Sequence, residues 1–104
     1  MALLREFFPG ITGFQWDEGN SEKNWRRHHV TRGQVEQVFF NRPILVGEDP
    51  KHSATEVRYF ALGRTDAGRR LMVVFTLRGL HLRVISARPM NRRERGRYGE
   101  AQTA

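Results

Sequence analysis

Apolar residues recur along this chain in two rhythms, and the rhythm changes near residue 43. Before the change, Ile11, Phe14 and Trp16, with Gly13 and Gln15 between them, fit a short strand in "ITGFQWD". Asp17 then offers an N-cap to a helix over "EGNSEKNWRRHH", which should end near His28 and His29 despite Gly19 and Asn20 in its first turns. The next start is sharper. Thr31 and Gln34 have the spacing of a capping box, and Val30 and Val35 that of a hydrophobic staple. Val35, Val38 and Phe39 then supply an i, i+3, i+4 apolar edge, and Asn41 to Pro43 stop that helix.

Beyond residue 43 the period falls to two. "ILVGED" reads as a strand and "DPKHSATE" as a polar loop; "VRYFALGR", "RRLMVVFTLR" and "LHLRVISAR", broken at "TDAG" and Gly79, predict an antiparallel meander. In the middle segment Leu71, Val73, Phe75 and Leu77 share one face and Met72, Val74 and Thr76 the other, which predicts a central strand. Strict alternation in the last one puts Leu82, Val84, Ser86 and Arg88 on one face, with His81, Arg83, Ile85 and Ala87 opposite. Pro89 ends the ladder, and Asn91 with Glu94 opens a final helix. On that helix Glu94 and Tyr98 lie one turn apart, beside Arg93 and Arg97.

Composition narrows the function classes. A chain of 104 residues has the length of one domain, expected here over residues 1–104. The absence of cysteine excludes disulfides, thiolate nucleophiles and Cys-based zinc sites, and fits a cytoplasmic setting. No apolar run approaches a membrane span, so no membrane association is expected. Eighteen Lys and Arg against eleven Asp and Glu give a formal charge of +7, which favours nucleic acid or an acidic protein as partner. Only Lys23 and Lys51 are lysines; the planar fork of arginine suits bidentate binding of phosphate or carboxylate.

The ordered set "FQWD", "KNWRRHHV", "VFF", "EVRYFALGR", "LMVVFT", "RVISAR" and "RRERGRY", over residues 13–98, resembles the BrnT family of toxins from bacterial type II toxin–antitoxin systems. The resemblance implies an α+β, RelE-like fold: a short N-terminal strand and two helices packed on an antiparallel β-meander, with a C-terminal helix. It also implies an endoribonuclease that arrests translation. Its implied partners are an RNA substrate, a BrnA-like DNA-binding antitoxin, and operator DNA reached only through the antitoxin complex. The sequence departs from the family pattern in three places. His29 stands where the family commonly has a helix-ending glycine, Gln15 where it has an acidic residue, and Glu18 where proline is frequent.

Metal-free RNA cleavage needs a base for the ribose 2′-hydroxyl, an acid for the leaving oxygen, and cations for the charged transition state. The candidates are His28, Arg58, Arg88 and Glu94 for catalysis, and Lys23, Arg64 and Tyr98 for holding RNA. An imidazole can act as acid or base, and Glu94 or Glu56 is a base where its surroundings favour that. Each residue also has a plainer role: a helix-end histidine caps carbonyls, Glu94 caps a helix or pairs with Arg88, Arg64 is a solvated turn residue, and Tyr59 packs. Adjacent His28 and His29 lack the spacing of metal ligands, and the ten glycines form no phosphate loop or dinucleotide motif, so neither metal nor cofactor is expected. The alternative function is a non-catalytic module that binds nucleic acid or a partner in operon control. Convergence of His28, Arg88 and Glu94 on one cleft is the feature that separates the two.

Overall fold

The structure, a computed structural model, describes residues 8, 10–49 and 56–103. The polar stretch at 50–55 and most of the N-terminal segment lie outside the described residues. The strands are β1 (Gly13–Gln15), β2 (Leu45–Glu48), β3 (Arg58–Arg64), β4 (Arg70–Arg78) and β5 (His81–Pro89), and the helices are α1 (Glu18–His28), α2 (Arg32–Val38) and α3 (Arg92–Thr103). One five-stranded sheet results, in the order β1-β5-β4-β3-β2. The antiparallel meander covers β2 to β5, whereas β1 joins β5 in parallel, so the sheet is mixed. A parallel neighbour needs a long crossover, and the chain between β1 and the meander carries two helices.

Local signals set the element ends. Asp17 accepts from the Asn20 amide at the start of α1, and Thr31 and Gln34 exchange side-chain and backbone bonds as a capping box on α2. Asn91 and Glu94 do the same on α3, at 2.8 and 2.9 Å. Gly79 adopts φ +57° in the β4–β5 turn, where a side chain would be strained.

The two faces of the sheet are covered unequally. Helix α2 lies over Ala61, Leu71, Val73, Phe75, Leu82 and Val84, which form one core with Val35, Val38 and Phe39, while α1 packs against β5 at the sheet edge. α2 approaches so closely that a Cβ on Gly63 would stand 2.5 Å from Val38 Cγ1. Phe8 reaches this core as well, its ring 5.1 Å from Tyr59 and 5.9 Å from Phe75, so part of the N-terminal segment is packing material. On the opposite face α3 closes a smaller cluster of Leu62, Met90 and Tyr98 over Leu45, Phe60 and Met72.

Strict alternation fails in β5. Val74 pairs with Ser86 but Phe75 pairs with Val84, which leaves Ile85 as a bulge. The bulge reverses the parity of the rest of the strand: Ala87 joins Leu82 and Val84 in the helix-covered core, and Ser86 and Arg88 move to the α3 face beside Val74 and Met72.

Candidate functional site: a basic cleft between α1 and β5

β1 pairs with β5 only as far as Arg83, so the outer edge of β5 beyond that point needs another partner for its backbone. α1 supplies it through a polar side chain. Asn24 is 4% exposed, and its Oδ1 accepts a hydrogen bond of 3.1 Å from the Ala87 amide. Both ends of α1 are fixed. Arg83 donates to Asp17 at 3.1 Å at its start, and at its end Arg69 forks onto the carbonyls of His28 (2.6 Å) and His29 (2.7 Å). His29 closes the helix in the left-handed region at φ 52°, ψ 44°.

This docking opens a cleft of about 230 Å³, lined by Lys23, Asn24, Arg27 and His28 from α1 and by Ser86, Ala87 and Arg88 from β5. Three cationic side chains and a histidine therefore face one volume large enough for a phosphodiester. Arg88 is held from behind. Its Nη1 and Nη2 donate to the two carboxylate oxygens of Glu94 at 2.7 and 2.9 Å, and Nη1 also donates to the Pro89 carbonyl. Three of its five N–H donors are thus engaged, which leaves two for a ligand.

Burial alone would raise the Glu94 carboxyl. The hydrogen bonds from Arg88 and the Asn91 amide, with the charges of Arg88 and Arg97, outweigh it and hold the group below the usual glutamate range. A carboxylate so placed is a weak proton acceptor and a strong anchor. In this geometry the Glu94 carboxylate holds Arg88 through two hydrogen bonds.

The other predicted residues lie elsewhere. Arg58 starts β3 opposite Thr76 and is not part of the cleft wall. Arg64 donates from Nε to the Arg42 carbonyl at 3.0 Å and lines a separate opening with Arg42 and Arg70. Tyr98 is fully buried and donates its hydroxyl to the Pro43 carbonyl at 2.7 Å, so it has no face for a base and the stacking role expected of it is withdrawn. Glu56 pairs with Arg78 at 3.5 Å, and Tyr59 stacks on Phe75. Among the described residues no three His, Asp or Glu side chains group as metal ligands. Sequence reasoning overlooked Asn24, Arg27 and Ser86. The one-turn spacing of Lys23 and Arg27 was a signal for the second, whereas Asn24 and Ser86 carry none that sequence displays.

Residues 16–94 match the family model described as "Ribonuclease toxin, BrnT, of type II toxin-antitoxin system". The chain belongs to the BrnT family. The region matched to BrnT contains Lys23, His28, Arg88 and Glu94 and stops short of Tyr98. A crystal structure of the Brucella abortus ribonuclease toxin BrnT is similar in fold, with a TM-score of 0.56 and 20% identity over 79% of this chain and 100% of that one. No curated protein matches the chain.

Proposed function

We propose that this BrnT-family chain is a metal-independent endoribonuclease on a RelE-like scaffold, acting in the cytoplasm to cleave RNA and arrest translation. The observation that carries this reading is the meeting of Lys23, His28 and a Glu94-braced Arg88 at one cleft. In the mechanism it supports, the ribose 2′-hydroxyl attacks the adjacent phosphorus and the 5′-oxygen leaves. His28 exchanges a proton with one of these oxygens, while Arg88 and Lys23 carry the charge that accumulates on the phosphoryl oxygens. Arg58 and Arg64 hold RNA away from the reacting phosphate. A BrnA-like DNA-binding antitoxin covers the cleft in the resting complex, and operator DNA is met only through that complex.

The bidentate engagement of Arg88 favours a second reading, in which the pair is structural and the chain is a non-catalytic binding module in operon control. One assay separates the two. Wild type and Arg88→Ala are incubated with ribosome-free single-stranded RNA in EDTA, with circular dichroism to confirm that both are folded. Cleavage by the wild type that falls at least about 100-fold in the variant is the expected result. Equal cleavage by both removes Arg88 from the mechanism. An inactive wild type that still binds RNA favours the second reading.

A further inference from the structure

The residues that line the basic cleft include one buried polar atom without a partner. The Asn24 carboxamide is buried, and while its Oδ1 accepts from the Ala87 amide at 3.1 Å, its Nδ2 meets no acceptor among the described residues. The orientation of the carboxamide is decided by chemistry: the Ala87 amide is a donor, so only Oδ1 can face it. Nδ2 is thereby left as a donor that has given up water and gained nothing in exchange, a rare condition in a folded chain.

Its surroundings say which acceptor would complete it. Asn24 lines the cleft together with Lys23, Arg27 and His28, and Ala87, to which it is tied, lines it between Ser86 and Arg88. No carboxylate is part of that lining among the described residues. An anion therefore answers the cations and the orphaned donor at once. Nδ2 is shielded from solvent, but Lys23 and Arg27 beside it on α1 are exposed side chains, and such side chains change rotamer readily when an anion draws them in. A neutral donor in this place adds what the cations do not. The Ala87 bond holds it ready before charge develops, and away from water its hydrogen bond is stronger than one at the surface.

Resting on the RNA-cleaving reading, we infer that Asn24 is a further catalytic residue: its Nδ2 donates to a non-bridging oxygen of the phosphodiester held by Lys23 and Arg88, while its Oδ1 keeps α1 on β5. The test follows the Asn24 side-chain amide of the full, isotope-labelled chain by NMR as an uncleavable 2′-fluoro oligouridylate is added. Its proton resonances should move downfield as RNA saturates the cleft, the mark of a new bond to an anionic oxygen. Asn24→Asp keeps an oxygen for the Ala87 amide and removes the donor. It should unfold at the urea concentration of the wild type and cleave RNA about 100-fold more slowly. Asn24 side-chain resonances that stay in place while the backbone amides of Lys23 and Arg27 shift overturn the assignment and leave the RNA-cleaving reading standing, as does an Asn24→Asp variant that cleaves at the wild-type rate. If that variant does not fold, the wild-type resonances decide alone. No resonance moving with RNA, together with no cleavage, overturns both.

Discussion

His29 shows how a single residue can conflict with its place in the fold. Its backbone at φ 52°, ψ 44° suits glycine, yet the helix end is over-determined by Arg69 on the His28 and His29 carbonyls and by the His29 amide on Asn24 and Trp25 carbonyls. His29→Gly should raise stability by roughly 0.5–1 kcal/mol in urea denaturation, the relief of a left-handed side chain less the entropy of a glycine. Glu94 is the second residue with a measurable signature. Its carboxyl is held below the usual range in the fold, so it contributes stability above the unfolded value that is lost as pH falls through the folded one. Acid titration of folding should therefore show a loss below the usual glutamate range that is reduced in Glu94→Gln. Identical pH profiles would remove the Arg88 pair from the stability of this site.

At the scale of elements, α1 is the instructive case. Its buried residue is Asn24, whereas Trp25 is 51% exposed, so the helix docks through a hydrogen bond to a sheet edge more than through an apolar stripe. Asn24→Ala leaves the Ala87 amide buried without a partner and should cost about 2 kcal/mol in urea denaturation at constant m-value. A cost near zero would mean that α1 is held by its ends alone. The helix caps were legible in sequence because they depend on side chains three residues apart. The facing of Arg88 was not. Nothing in "RVISAR" announces that Ile85 will be left unpaired, since a bulge is decided by how β5 must bend to meet both β4 and the edge helix.

The whole molecule carries +7, and several of its cations meet at one cleft. If Lys23, Arg27 and Arg88 each neutralise one phosphate, the logarithm of RNA affinity should fall against the logarithm of salt concentration with a slope of roughly −2. Arg27→Gln should flatten that slope by about 0.7. An unchanged slope would place the RNA on another surface, such as the opening lined by Arg42, Arg64 and Arg70.

Whatever depends on neighbours along the chain was legible in the sequence: the capped helices, the glycine turns, the period-two strands, and the family to which their order belongs. The sequence also supplied the residue types that a phosphate site needs. Which of them meet depends on packing between distant segments. Lys23 and Arg88 are 65 positions apart in number and share a cleft because Asn24 ties α1 to the unpaired edge of β5. Tyr98 lies four residues from Glu94 and is buried because α3 turns it onto Leu62 and Met90. Periodicity fixes which residues share a face of one element, whereas the partner that face will meet is set by register, a bulge and helix docking, which act between segments distant in sequence.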